Sequence, residues 1–184
     1  MIQLRELRGD DAKRLYLWRR APAVDRWMCG RPAETFDAHM AWFDAFREDH
    51  DSKGWIVAWN RRPVGFVMLK GCGCDDGRAE WGWYIGEDRA RGRGVGRAAQ
   101  ALALDEAFGP LGVRKIASEV LVGNAAALKA QTAAGFRREG LLRAHVLKDG
   151  EARDVVLLGL LEQDWAARRD DYLRGLAPDI AIAA

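Results

Sequence analysis

Cysteine is scarce in this sequence and does not pair up: Cys29 stands alone, while Cys72 and Cys74 share the stretch Gly-Cys-Gly-Cys-Asp-Asp-Gly. An odd count of three, with no second pair at zinc-finger spacing, argues against a disulfide framework and a cysteine metal site. Histidine also occurs only three times and far apart in sequence, so no metal is expected. Charge of one sign is missing too. Lys and Arg total 29 against 27 Asp and Glu, a net charge of +2, which gives no global pull toward nucleic acid or a membrane surface. No run reaches the roughly 18 uninterrupted apolar residues of a membrane span, and Met1 to Glu6 lacks the apolar centre of a signal segment. The expectation is a reduced, cytoplasmic protein.

What the chain does have is a single domain's worth of core, with 49% hydrophobic and 30% charged residues in 184. Only the last few residues look disordered. Eight tryptophans are many for this length; they serve either as core or as faces on which a flat ring stacks, and Trp55 and Trp59 are expected in the core.

One stretch organises the rest. Residues 79–85 are aromatic and β-favouring, residues 98–108 are helix formers with apolar spacing of three and four, and between them runs Arg91-Gly92-Arg93-Gly94-Val95-Gly96-Arg97. Glycines at a helix N-terminus leave backbone N–H groups uncovered where the helix dipole favours an anion, and three arginines share the turn. The reading is a diphosphate cradle, with a plain turn as the alternative. It is not a Walker loop, because no Lys-Ser or Lys-Thr follows the last glycine, and the dinucleotide fingerprint lacks its later glycine.

In chain order the periodicity predicts a strand at 2–7, a helix from Asp10 or Asp11 to Arg20 broken by Pro22, a short helix or turn at 24–29, and a helix at 35–50. Strands follow at 55–60 and 64–70, then the central strand and its helix. A strand at 113–122, a helix at 125–134 capped by Asn124 and ended by Gly135, a closing hairpin of 136–147 and 152–161, and a helix around 163–173 complete the chain. With no repeat and no linker, this is one mixed α/β domain.

That order resembles the GNAT N-acetyltransferase fold over roughly residues 2–165. The Arg91–Gly96 corner matches the superfamily's Arg/Gln-x-x-Gly-x-Gly/Ala loop for the coenzyme A pyrophosphate, and Asn124 followed by Gly135-Phe136 matches its second cofactor-helix signature. The resemblance implies an α/β GNAT fold, a mixed, largely antiparallel sheet flanked by helices with a V-shaped cofactor cleft between two central strands. It places the domain at 1–165 and a C-terminal helix and tail at 166–184. Acetyl-CoA would be held by Tyr84, Ile85, Arg91, Gly92, Arg93, Gly94, Val95, Gly96, Arg97, Asn124 and Gln131.

Two further stretches, Leu17 to Pro22 with Val24 and Arg26-Trp27-Met28, and Glu139 to Arg143 with Lys148-Asp149-Gly150 and Asp154-Val155, together with 80–85 and Glu119, resemble the nucleotide-sugar N-acetyltransferase of pseudaminic acid biosynthesis. That family acetylates the 4-amine of a UDP-linked 4-amino-4,6-dideoxy-N-acetyl-altrosamine on the way to a flagellin-glycosylating sugar. The resemblance implies that Arg19, Met28, His39 and Trp42 meet the nucleotide and sugar, with Tyr84 and Glu119 near the acceptor. The plain alternatives are a solvated helix position for Arg19, core for Met28 and Trp42, and a surface helix position for His39.

An ammonium cannot attack a thioester, so a base is needed. Glu80 stands eleven positions before the phosphate loop, where several GNAT enzymes keep a basic glutamate; Glu119 is the rival. Either needs a raised pKa, which burial beside Trp81 and Trp83 is expected to supply. A backbone N–H near Tyr84 or Ile85 would hold the oxyanion. Seven residues after Asn124, where the family usually has a tyrosine, stands Gln131, which can donate a hydrogen bond to sulfur but cannot transfer a proton at neutral pH. Tyr84, Ser118, His145 or water would then protonate the thiolate.

Three readings compete: a UDP-amino-sugar N-acetyltransferase, a ribosomal-protein or peptide N-terminal acetyltransferase, and an idle acyl-CoA-binding sensor. Arg19, Arg20, Arg26 and Arg31 crowd the acceptor side, favouring a diphosphate over a cationic acceptor. The exposed edge of the closing hairpin permits a homodimer.

Overall fold

The computed structural model describes residues 1–176 and 180–182. Seven strands form one sheet: β1 (Ile2–Glu6), β2 (Ser52–Trp59), β3 (Arg62–Lys70), β4 (Arg78–Ile85), β5 (Lys115–Leu121), β6 (Arg137–Lys148) and β7 (Glu151–Leu161). Their order is β1-β2-β3-β4-β5-β7-β6. Every neighbour pair is antiparallel except β4 and β5, which run parallel. The helices are α1 (Ala12–Arg20), α2 (Pro22–Asp25), α3 (Phe36–Glu48), α4 (Val95–Phe108), α5 (Ala125–Ala134) and α6 (Glu162–Arg174). The expected mixed, largely antiparallel α/β architecture is what the chain adopts.

Each face of the sheet buries its own core. On one face lie α4, α5 and α6. The alanines of α4 (Ala98, Ala99, Ala101, Ala103 and Ala107) are fully buried, and their small side chains let this helix sit close against the strands. On the other face α1 and α3 pack Leu15, Trp18, Phe43 and Phe46 against Ile56 and Phe66. Trp55 and Trp59, expected in the core, are only half-buried at the margin of the larger cluster. They stand on β2 close to the sheet's β1 edge, where less packs over them.

The element boundaries shift where local chemistry wins over periodicity. Helix α4 starts at Val95, earlier than the apolar spacing suggests, because Gly94 takes the left-handed conformation (φ 79°) as its N-cap. Pro22 does not simply end a helix; it opens α2 at the first turn, where its missing N–H costs nothing. The division expected after residue 165 falls inside α6, whose Trp165 and Tyr172 belong to the main core. Of the final residues expected to be disordered, Ile180 is buried, Ile2 N–H donates to the Ala181 carbonyl at 2.6 Å, and Ile182 bridges to Ile2 in parallel. Residues 183 and 184 lie outside the described residues.

Two contacts fix α1. The Trp18 indole packs so tightly over Gly86 that a Cβ there would come within 2.3 Å of the ring, and its Nε1–H donates to Glu87 at 2.9 Å. Asp11, 1% exposed, accepts from both guanidinium nitrogens of Arg5 (2.9 and 2.8 Å), from the Arg8 N–H (2.9 Å) and from Arg14 (3.3 Å). Burial alone would raise its pKa; the Arg5 hydrogen bonds, the Arg8 N–H and the two positive charges outweigh that and hold it below the usual carboxylate range. A depressed folded-state pKa stabilises above the unfolded-state value and loses that stabilisation as pH falls through the folded-state value. Asp11→Asn is therefore expected to destabilise the fold by about 2 kcal/mol at neutral pH. In thermal melts from pH 7 to below pH 4, the wild type should lose this margin on acidification while the variant lacks that component.

Candidate active site

The parallel pairing of β4 and β5 covers only three residue pairs, Arg78↔Lys115, Ala79↔Ile116 and Glu80↔Ala117. Beyond them β4 stays bonded to β3 as far as Ile85, and β5 stays bonded to β7 as far as Leu121. The two strands therefore part, and the edges they turn toward each other keep unpaired backbone groups. A cleft of about 1130 Å³ opens there, bounded by the start of α4, by α5 and by residues 23–30.

Paired residues of parallel strands share a sheet face, so Glu80 and Ala117 lie on one side, and alternation adds Glu119 from β5 and Gly82 and Tyr84 from β4. This is the face covered by α1 and α3, and all five residues line the cleft. Glu80 and Glu119 are exposed, and among the described residues neither has an ion-pair partner. Trp81 and Trp83 point to the opposite face and pack in the α4 core, so they do not bury Glu80. That expectation fails on the period of two. Tyr84 packs against Phe66 at 5.9 Å between ring centroids. Burial raises its phenol pKa well above the usual value, only partly opposed by the charge of Arg19, so it is a neutral donor at ordinary pH.

At the other end, Gly92 (φ 70°) and Gly94 turn the chain into α4. The first helix hydrogen bond there runs from Ala98 N–H to the Gly94 carbonyl, leaving the N–H groups of Val95, Gly96 and Arg97 open toward an anion. The Val95 side chain is fully buried, so only its backbone contributes. The three arginines divide their tasks. Arg91 turns back onto its own corner, donating to the Ile85 carbonyl (2.9 Å) and the Gly86 carbonyl (3.2 Å) and pairing with Asp88. Arg97 donates to the Tyr172 carbonyl (2.8 Å) with its guanidinium 4.4 Å from that ring's centroid, tying α4 to α6. Arg93 does not line the cleft as Arg91 and Arg97 do, but it is exposed beside it with no partner among the described residues, and so is the arginine of the turn left free to meet a phosphate.

Asn124 caps α5 through Oδ1, which accepts from Ala127 N–H at 3.2 Å, and also borders the cleft. Gln131 is 2% exposed on the cleft wall, with its Oε1 buried and without a partner among the described residues; Trp81 Nε1, also on the cleft, is in the same state. Buried orphan polar atoms are rare, and an acceptor and a donor beside an open strand edge suit a ligand carrying amide groups. Diphosphate cradle, strand edge and orphans together fit the parts of an acyl-coenzyme A. Among the described residues no three His, Cys, Asp or Glu side chains converge as a metal site, and no helix is long and apolar enough to cross a membrane.

On the acceptor side the expectations divide. Met28 lines the cleft. His39 and Trp42 do not: α3 turns His39 toward α1, where its Nε2 sits 2.9 Å from the Ala12 carbonyl amid the rings of Tyr16, Phe36, Trp42 and Phe43. Trp42 stacks on Phe46 at 5.5 Å. Burial lowers the His39 pKa against the opposing Ala12 bond, so the imidazole is a neutral inter-helix donor. Of the four arginines expected to crowd this side, only Arg26 lines the cleft. Arg19 bonds Asp25 and Gly30, and Arg20 bonds the Ala33 and Glu34 carbonyls. Among the acid candidates Ser118 borders the cleft whereas His145 is exposed on β6 away from it. Periodicity carried no signal for Cys29, a half-buried lining residue whose thiol is pushed up by burial and by Glu119, or for the Lys115–Glu139 pair (2.7 Å) on the cleft floor.

A family model for the GNAT acetyltransferase domain matches residues 2–137. The chain belongs to the GNAT acetyltransferases. It is 25% identical to a spermidine N-acetyltransferase SpeG chimera of Vibrio cholerae and hSSAT, with a TM-score of 0.82 over 91% of this chain and 99% of that one. A spermidine N-acetyltransferase from Vibrio cholerae, solved with CoA and spermine, has the same fold at 23% identity and a TM-score of 0.83 over 90% of this chain and 98% of its own. This GNAT protein is accordingly an acetyl-CoA-dependent N-acetyltransferase, with acetyl-CoA as co-substrate. The division among the arginines makes a contrast. Arg93→Ala is expected to weaken coenzyme A binding about fivefold by calorimetry, the loss of one exposed charged contact, with an unchanged melting temperature. Arg91→Ala should instead lower the melting temperature.

Proposed function

We propose that this GNAT enzyme acetylates a primary amine on a small anionic acceptor, of the UDP-linked amino-sugar class. The observation that carries the reading is the pair of unpartnered carboxylates, Glu80 and Glu119, on one sheet face at the split between β4 and β5. They face the position an amine takes when it approaches from the α1 side. The anionic acceptor is supported by Arg26, which lines the same end of the cleft, lies 5.2 Å over the Trp27 ring and pairs with no carboxylate among the described residues.

In the reaction, Glu80 or Glu119 takes a proton from the acceptor ammonium, directly or through water. The amine nitrogen then bonds the acetyl carbon while backbone N–H groups on the free edge of β4 near Tyr84 and Ile85 hold the developing oxyanion. As the carbon–sulfur bond breaks, the neutral, cleft-lining Tyr84 hydroxyl passes its proton to the thiolate and is reprotonated by the second proton leaving the acetylated nitrogen. Gln131 holds and orients but transfers no proton.

A polyamine acceptor is the second reading. The same two free carboxylates suit a second ammonium, and the solved neighbours are spermidine N-acetyltransferases. Thiol release from acetyl-CoA decides between them when a UDP-4-amino sugar, spermidine and a ribosomal-protein N-terminal peptide are offered in parallel. Turnover confined to the nucleotide-sugar upholds the proposal; turnover confined to spermidine replaces it. With the productive acceptor, Glu80→Gln or Glu119→Gln should lower kcat about 100-fold or more, whichever carries the base. Because burial keeps Tyr84 protonated, the wild-type rate should rise with the ionisation of the base and show no alkaline fall before about pH 10, the ordinary phenol value.

A further inference from the structure

Behind Asp25, which does not itself line the cleft, the run Arg26, Trp27, Met28, Cys29 and Gly30 forms a continuous stretch of its wall. Arg26 and Trp27 also line a second, smaller pocket of about 220 Å³ beside the turn between β6 and β7, so the segment is a partition between two cavities. Its first half is held by backbone turns, with the N–H groups of Asp25, Arg26, Trp27 and Met28 reaching the carbonyls of Ala21, Pro22, Val24 and Asp25, but among the described residues no backbone N–H from Cys29 to Glu34 finds a backbone acceptor, so the far end is held by little of its own.

Side chains do that work instead. The Arg19 guanidinium donates to Asp25 Oδ1 at 2.7 Å at the start of the segment and to the Gly30 carbonyl at its end, closing it like a clasp. The other carboxylate oxygen of Asp25 accepts from Lys148 Nζ at 3.3 Å, a residue 123 positions away at the tip of the β6–β7 hairpin. The pairs are substantially withdrawn from water: Arg19, Asp25 and Lys148 side chains are 18%, 29% and 11% exposed. They are therefore less screened than surface pairs. One aspartate thus ties together α1, the cleft wall and the opposite end of the sheet.

We propose that Asp25 is the positioning residue of the acceptor wall, and that the Arg19–Asp25–Lys148 latch sets which acceptors the cleft admits. Asp25 acts through the wall and touches no reacting atom. Arg19 is, on this account, a clasp and not a nucleotide ligand. That the wall meets the acceptor rests on the function proposed above; the latch itself does not, and two readouts separate them.

The first needs no acceptor. In a Cys72→Ser, Cys74→Ser background, Cys29 inside the clasp reports opening through its reaction with Ellman's reagent. Asp25→Asn should speed labelling about tenfold, Lys148→Met should speed it less, and Asp25→Glu should stay near the parent. An unchanged rate in a folded Asp25→Asn protein with normal far-UV circular dichroism overturns the latch, as does an unchanged rate in Lys148→Met should Asp25→Asn fail to fold. The second is kinetic, with the UDP-4-amino sugar and spermidine each assayed. Asp25→Asn should raise the acceptor KM about tenfold while kcat and the acetyl-CoA KM stay within about threefold. A fall in kcat at unchanged acceptor KM overturns the positioning role. Turnover of spermidine alone would remove the nucleotide-sugar reading and leave the labelling result to stand by itself.

Discussion

The short parallel pairing between β4 and β5 is the constraint on which the site depends. A sheet that is otherwise antiparallel gives each strand a continuous partner on both sides, and its backbone groups are used up in the ladder. Here two strands meet at Arg78–Glu80 and Lys115–Ala117 and then diverge, each still anchored on its outer side. The divergence yields an open edge in the middle of a stable sheet. It also places Glu80 and Glu119 on one face, while the N-terminus of α4 and the buried wall of α5 border the same opening. Rigidity on the outer sides makes the opening usable, because donors held in place need no reorganisation when charge develops.

The arginines show how much of a local cationic cluster is architecture. Arg91 braces the corner it belongs to, Arg97 fastens α6, Arg19 clasps the cleft wall and Arg20 holds the loop before α3. A guanidinium offers five donors in a planar fork, so it readily captures backbone carbonyls that a folded loop would otherwise leave unpaired. The positive charge left for ligands is accordingly smaller than the sequence count suggests, with Arg93 at the cradle and Arg26 at the acceptor end.

Much of the fold was legible because period and punctuation agree. Aromatic and β-favouring residues marked β4, Asn124 and Gly135 bracketed α5, and the glycine-rich corner marked the turn into α4. The cradle and the two glutamates were legible as a motif and a strand position. What stayed hidden depends on side-chain direction in three dimensions. Periodicity could not say that α3 turns His39 and Trp42 away from the cleft, His39 being buried against Ala12 and Tyr16 of α1 and Trp42 stacking along its own helix on Phe46. That Glu80 stands clear of the indoles of Trp81 and Trp83 does follow from strand alternation, which the expected burial overlooked. Lys148 meets Asp25 across 123 residues, a contact for which local pattern holds no information.

Amide hydrogen exchange with and without saturating acetyl-CoA tests the central claim most directly. If the opened edge of β4 and the first turn of α4 form the co-substrate's seat, exchange should slow within residues 81–85 and at Val95, Gly96 and Arg97, while the β2–β3 ladder is unchanged. Protection that leaves residues 81–85 untouched, or that falls elsewhere in the sheet, would contradict the account.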